Sequence, residues 1–300
     1  NNSFKNIIAV NIGTQTSSRY DGFGFNVKGN NLLIENCFVL NAAAEAYNLA
    51  DSDYSLVKNS KAYSNNYANP TDYYFVITSG TNNTVIQDSY AERVGNLSHT
   101  GHGFDMKDLA ENNTFKNCTA KNTTFELNFS GVRYNTIDGG SLIGPGSTTS
   151  SEVAVFILNG ANNNTIKNLN IQNTHKAFIW RDNDDGFVGP GGDRDAASMG
   201  YDNTFDRITV NNVDRVLNVG SATSYSVKAS RNKFTNCNFS NFDSVAVTYY
   251  MTEDILFSNC NFTNGDDLVI EFQGQYAPYS HFDVTWQNCN WTNVNFTPPN

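Results

Sequence analysis

The chain has 300 residues, a formal net charge of -10 and only 16% charged residues. An acidic chain without a basic stripe is a poor partner for nucleic acid, and no apolar run reaches the roughly 18 residues that a membrane-spanning helix needs. Asn, Thr, Ser, Tyr and Phe dominate while Lys, Glu, Leu and Ala are sparse, a mixture that favours strands and turns over helices.

Taken in chain order, one pattern keeps returning: NNSFKNII (1–8), NNLLIENC (30–37), DYSLVKNS (53–60), NNTVIQDS (82–89), NNTFKNCT (112–119), YNTIDGGS (134–141), NNTIKNLN (163–170), DNTFDRIT (202–209), RNKFTNCN (231–238), DILFSNCN (254–261) and DVTWQNCN (283–290). Each copy has a polar lead-in and one large apolar residue. These residues are Phe4, Ile34, Val57, Ile86, Phe115, Ile137, Ile166, Phe205, Phe234, Phe257 and Trp286. Their spacings cluster near 22 and 29, with one gap of 39 between Ile166 and Phe205. A fixed period with loops of two lengths is the mark of a stacked repeat. Between the copies lie short period-two alternations: GFGFNV, AYNL, YYFVIT, HGFDMK, FELNF, VAVFIL, AFIW, RVLNV, AVTYY and LVIEF. Such segments predict strands joined by Asn, Gly and Ser turns.

A coil of about 22 residues with two or three short strands is the unit of a right-handed parallel β-helix, whose coils stack at about 4.8 Å. The chain resembles that superfamily, which includes pectate lyases, polygalacturonases, alginate lyases and epimerases, phage tailspikes and many adhesins. The fold expected is all-β: a single-stranded right-handed parallel β-helix of about eleven coils. It runs over 1–300 as one domain, part of a longer precursor, with a loop insertion at 181–202. The resemblance implies a secreted or surface-exposed protein acting on, or adhering to, a polysaccharide.

All five cysteines, Cys37, Cys118, Cys237, Cys260 and Cys289, follow an asparagine at one place in the repeat. Other coils put Ile7, Ser60, Ser89, Gly140, Leu169 or Ile208 there, so the place reads as an inward slot for small to medium side chains. Disulfides are open only to neighbouring coils, such as those of Cys237, Cys260 and Cys289. The recurrent asparagines suit left-handed turns and stacked amide ladders. The many N-x-S/T sequons follow from that same chemistry.

Two histidines, two aspartates and a lysine crowd into HTGHGFDMKD (99–108), which holds half of the chain's four histidines. Alternation puts Phe104 and Met106 inside and turns Asp105 and Lys107 outward. In the next coil FELNF turns Glu126 and Asn128 outward, and in AFIWR Phe178 and Trp180 inside would expose Ile179 and Arg181. The expected outward row is Lys28, Asn48, Asp105, Lys107, Glu126, Asn128 and Arg181, with His102 at its lip and Arg133 at the far turn. Asp105 and Glu126 fall about one rung apart, roughly 5 Å. An exposed strand face also needs polar residues for solubility alone.

Two chemistries fit this set. Elimination from a uronate needs a cation beside the carboxylate and a base, roles open to Lys107, Arg133 or Arg181 and to His102 or Lys107. Hydrolysis needs two carboxyl groups, here Asp105 and Glu126. Lys28, Asn128, Arg133 and Arg181 would bind substrate. GHG at 101–103 looks like the histidine motif of polygalacturonases, whose other marks are missing. GFDMKD is similar to the G-F-D-P-H-E stretch of alginate epimerases through Gly103, Phe104 and Asp105. Met106, Lys107 and Asp108 stand where that stretch has P-H-E. The long loop offers Asp182, Asp184 and Asp185 as hard oxygen ligands suited to calcium, and exposed tyrosines, Tyr73 and Tyr74 among them, suit sugar faces. The fold resemblance tips the reading to cleavage of an acidic glycan, lyase slightly ahead of hydrolase. The rival is a non-catalytic structural or adhesive solenoid.

Overall fold

The structure, a computed structural model, describes residues 2–13, 22–66, 70–95, 101–128, 132–146, 153–181, 198–220, 228–248, 251–272 and 282–295. Among them run 28 strands in one continuous parallel arrangement. The eleven large apolar residues of the repeat form a single column. Phe4 pairs with Ile34, Ile34 with Val57, Val57 with Ile86, Ile86 with Phe115 and Phe115 with Ile137. The column continues through Ile166, Phe205, Phe234 and Phe257 to Trp286. From Ile34 to Phe257 each is buried. Apolar side chains stacked rung on rung remove their faces from water, which is the main stabilising term of the solenoid.

Each coil turns by means of residues that accept a left-handed backbone. Asn36, Asn59, Asn117, Asn168, Asn236, Asn259 and Asn288 all have φ between 50° and 56°. Asp88 and Arg207 stand at the same bend with φ 50° and 52°. Asparagine bears this conformation at lower cost than most residues because its short amide bonds locally. Arg207 is the exception, and its Nε donates to Asn168 Oδ1 at 2.8 Å in the preceding coil.

A buried ladder of side-chain oxygens runs along the axis. Leu32 N donates to Ser55 Oγ, Ser55 N to Thr84 Oγ1 and Thr84 N to Asn113 Oδ1. The series continues through Asn135, Asn164, Asn203 and Asn232, each oxygen accepting from the backbone N–H one coil back at 2.8–3.1 Å. The amide nitrogens of Asn113, Asn135, Asn164, Asn203 and Asn232 donate in turn to carbonyls of Thr81, Ala110, Val132, Ala161 and Gly200. Each rung therefore satisfies the next, as buried polar groups require.

The cysteine slot is as expected: Cys37 N bonds Ser60 Oγ, and Cys118 pairs with Gly140. Cys37, Cys118, Cys237 and Cys260 are buried, Cys289 is partly so, and all five are free thiols. Each sulfur donates to backbone carbonyls, as in the 3.3 Å contact of Cys118 with Ile86 O.

The third strand of each coil carries the site. Phe25–Val27, Glu45–Ala50, Tyr73–Thr78, His102–Lys107, Phe125–Asn128 and Val155–Leu158 stack in that order. Their inward rings make a pile: Phe25, Tyr47, Phe75, Phe104 and Phe125, with centroids 4.5–5.1 Å apart and planes within 17°. Phe178 and Trp180 face inward as expected and are buried. The opposite face is not bare. Val76 and Ile179 are fully buried, and Phe156 nearly so, with Ala154, Phe156, Leu158 and Ile179 forming an apolar cluster separate from the interior core.

Candidate functional site

The outward column of this stack reads Asn48, Val76, Asp105, Glu126 and Phe156, one residue per rung. Asp105 lies between Phe104 and Met106, both in the core, so its carboxyl is on the far side of the sheet. The side predicted from alternation is right, but the exposure is not. Asp105 is 0% exposed, Glu126 3% and Asn128 6%. The strand pattern reports direction only; the covering of a face depends on the rest of the fold.

His102 meets this pair from three residues before Asp105 on the same strand. Its Nδ1 lies 2.8 Å from Glu126 Oε1, and its Nε2 lies 3.9 Å from Asp72 Oδ1. The Nδ1 contact is close but off-line for a hydrogen bond, so charge pairing carries it. Thr124 Oγ1 donates to the same Glu126 oxygen at 2.7 Å. The Tyr73 ring stacks on His102 at 4.4 Å, and Lys107 Nζ sits 3.7 Å from the Tyr73 centroid. One ligand atom from each of His102, Asp105 and Glu126 lies within 4.8 Å of the others, close enough for a metal ion as well as for proton chemistry.

Two glycines make this approach available. A Cβ on Gly103 would come within 2.4 Å of Thr123 Oγ1 and 2.6 Å of Thr124 O, so only glycine lets these strands lie this close. Gly101 has φ +70°, and a Cβ there would meet the Tyr74 ring at 2.9 Å. The GHG triplet is therefore held by backbone geometry around His102.

The polar atoms of the site are unusual in lacking partners. Both oxygens of Asp105, Glu126 Oε2, Glu45 Oε2 and Asn48 Oδ1 are buried with no hydrogen-bond donor among the described residues. All five are oxygens. Glu45 joins the site because it pairs with Tyr73, which pairs with His102.

Burial and neighbours drive the titrations apart. Burial, then the Glu126 charge, pushes the Asp105 carboxyl up to about 8, against Lys107 and His102. Burial alone would pull His102 down, but Glu126, Asp105 and Asp72 outweigh it and raise it to about 9. For Glu126 burial is again the largest single influence and an upward one, yet His102, Thr124 and Lys107 together hold it below the ordinary carboxylate range. Burial raises Glu45. At neutral pH the set is an un-ionised Asp105 beside an ionised Glu126 paired with an imidazolium.

The structure brings together His102, Asp105, Lys107 and Glu126, with Asn128 in register beside Lys107 and accepting from Asn159 Nδ2 at 3.1 Å. The remaining members of the expected row lie elsewhere. Lys28 is exposed and pairs with Asp51 at 3.2 Å, and Arg133 is exposed and pairs with Glu111 at 2.7 Å. Arg181 pairs with Leu158, three strands along from Lys107, with its guanidinium 5.8 Å from the Phe156 ring centroid. Asp182, Asp184 and Asp185 lie outside the described residues, so the acidic loop has no structural account. Tyr74 is buried in the core and does not offer a sugar platform.

Sequence reasoning missed Glu45, Asp72 and Thr124, and it placed Tyr73 only among general aromatics. Tyr73 and Tyr74 break the alternation: Tyr74 joins the core while Tyr73 stays beside His102. Counting back one coil from His102 to the polar lead-in TDYY would have found Asp72 and Tyr73.

No protein-family model and no curated protein matches the chain. Solved structures match it over nearly its whole length. The Agl-KA catalytic domain is 17% identical with a TM-score of 0.54, covering 97% of this chain and 49% of its own. The catalytic domain of a GH87 alpha-1,3-glucanase in complex with nigerose is 15% identical with a TM-score of 0.50, covering 98% of this chain and 59% of its own. The chain is a right-handed parallel β-helix. A hyperthermoactive exopolygalacturonase from Thermotoga maritima also matches, at 13% identity and a TM-score of 0.48, over 88% of this chain and 53% of its own. This β-helix thus spans about half the length of these solved structures.

Proposed function

We propose that this β-helix hydrolyses glycosidic bonds of a polysaccharide at the Asp105–Glu126 pair. The observation that carries the reading is two carboxyl groups on adjacent rungs whose surroundings hold one protonated and the other ionised. Asp105 gives its proton to the glycosidic oxygen as the bond from C1 to that oxygen breaks. Glu126 Oε2, the oxygen not held by Thr124, bonds to C1 from the opposite side. A water then displaces Glu126 and gives its proton to Asp105, which restores the starting state. Adjacent rungs, about 5 Å apart, match the short carboxyl separation of this route more closely than the roughly 6.5–9.5 Å of water-inserting pairs. The five partnerless oxygens suit a ligand rich in hydroxyl donors. The fold likeness to an alpha-1,3-glucanase catalytic domain supports the same class of reaction.

Elimination is less well served. His102 is tied to Glu126 as a cation and is unavailable as a base, and Arg133 is remote from the site. A polymeric glycan as substrate goes with work outside the cell or at its surface. We further propose calcium bound by Asp182, Asp184 and Asp185, checked by a calcium titration of thermal stability, where no shift removes it.

The test is a panel of polysaccharides followed by reducing-end release and by ultraviolet absorbance of unsaturated ends. The expected result is reducing ends without unsaturation, lost in Glu126→Gln. Unsaturated ends that vanish in Lys107→Ala would transfer the site to elimination. No product from any glycan would leave a structural or adhesive solenoid.

A further inference from the structure

We infer that the sugar unit seated between Asp105 and Glu126 is uncharged, so that the substrate is a neutral, hydroxyl-rich glycan at the point of cleavage. This rests on the hydrolytic reading of the site and narrows it. Three observations carry it.

First, the unpartnered atoms of the buried lining are weighted toward acceptors, with the Asp105 proton and the His102 Nδ1–H as the donors among them. Asp105, Glu126, Glu45 and Asn48 present five oxygens without partners. Sugar hydroxyls donate to such oxygens. A uronate carboxylate, which only accepts, can meet the Asp105 hydroxyl but leaves the oxygens of Glu126, Glu45 and Asn48 orphaned and adds acceptors of its own.

Second, the cations of the site are already engaged by the protein's own groups. His102 lies against Glu126 and Asp72. Lys107 rests over the Tyr73 ring, with Glu45, Asp105 and Glu126 around it. Lys28 and Arg133 are paired with Asp51 and Glu111. Arg181 is three rungs from Lys107, about 14 Å at the usual strand spacing. It is therefore placed for a distant sugar of an extended chain and not for the one being cleaved.

Third, the place resists added negative charge. Asp105 and Glu126 are almost fully buried on adjacent rungs, and Glu45 stands in the Tyr73–His102 column beside them. A substrate carboxylate entering the same volume meets the same desolvation and the same neighbouring Glu126 charge.

The experiment compares matched polymers that differ only in charge. Polygalacturonate and alginate are each reduced at their carboxyl groups, and α- and β-linked glucans are added as neutral references. Binding to Asp105→Asn, which mimics the protonated acid and retains the Glu126 charge, is followed by affinity electrophoresis at low and high salt. Cleavage by the unaltered protein is followed by reducing ends. The expected result is that a reduced or neutral polymer binds on the order of tenfold or more tightly than its acidic counterpart, with little salt dependence. Glu45→Gln is expected to narrow the difference.

Tighter binding of an acidic polymer, weakened by salt and accompanied by reducing ends, overturns this inference and leaves hydrolysis standing. Equal binding of both members of a pair also overturns it. Binding of neutral polymers without any reducing ends leaves the inference standing and overturns hydrolysis. No binding to any polymer overturns both.

Discussion

Two buried polar columns run along the same solenoid, and they are built on opposite terms. In the ladder from Asn113 to Asn232, every amide oxygen accepts from the coil before it and every amide nitrogen finds a carbonyl. In the column of Asn48, Asp105 and Glu126, four side-chain oxygens have no partner. Both columns arise from one stacking geometry. The difference is repetition: an asparagine in every coil supplies its own partner one rung away, whereas Asp105 and Glu126 are unlike their neighbours. Where the repeat is kept, polar burial stabilises; where it is broken, polar burial leaves valences for something else.

The largest effect is expected where the break is deepest. Glu126→Gln should lower hydrolysis by about 10³-fold or more while leaving the fold intact, read by kcat on a cleaved glycan and by circular dichroism. Retained activity would show that the unpartnered column has no catalytic part.

Asp105→Asn separates activity from stability. Its carboxyl holds a proton in the folded chain up to about 8, against 3.8 ordinarily. Between those values the native state binds a proton that the unfolded chain lacks, so stability falls as pH rises across that window. His102 adds to the trend, since its charged form favours the fold below its ordinary 6.5 and the benefit is lost as pH rises through about 9. Asp105→Asn should therefore cut activity by about 10²–10⁴-fold yet raise Tm, more at pH 8 than at pH 4. Thermal melts across pH check the sign; a loss of stability at pH 8 would refute the site's electrostatics. The unaltered protein should lose kcat/KM as pH rises through about 8.

The paired column should respond in the other direction. Asn164→Ala removes the acceptor for Asn135 N and the donor to Val132 O, both buried. A cost of about 2–3 kcal/mol is expected, with hydrogen exchange rising locally at Asn135. The smallest effect belongs to the exposed ladder, where Asn261 links Asn238 and Asn290 at 2.8 and 2.9 Å. Asn261→Ser should stay within about 0.5 kcal/mol, because water replaces what is lost.

The winding was fully legible in the sequence. All eleven apolar residues read from the repeat pair in one column, and the residue before each cysteine in Cys37, Cys118, Cys237, Cys260 and Cys289 takes the left-handed bend. The site was legible in part. Period two gave the side on which Asp105, Lys107 and Glu126 lie, and the rung count made Asp105 and Glu126 neighbours. Their burial was not legible, because it depends on what lies over the face. Lys28 and Arg181 were grouped with them by the same alternation and Arg133 by its place at the turn, but Lys28 and Arg133 pair with Asp51 and Glu111, and Arg181 lies three rungs from Lys107. Asp72, Tyr73 and Glu45 escaped because the alternation slips at Tyr73–Tyr74.

The pile of rings from Phe25 to Phe125 sets a ruler inside the coil. Phe104 and Phe125 lie 5.1 Å apart, and each is one residue before a carboxyl of the proposed pair. The reach between the proposed acid and nucleophile is thus graduated by aromatic thickness on the hidden side of the sheet. Thinning one ring to an aliphatic side chain there would mistune the pair while every atom that touches sugar kept its identity.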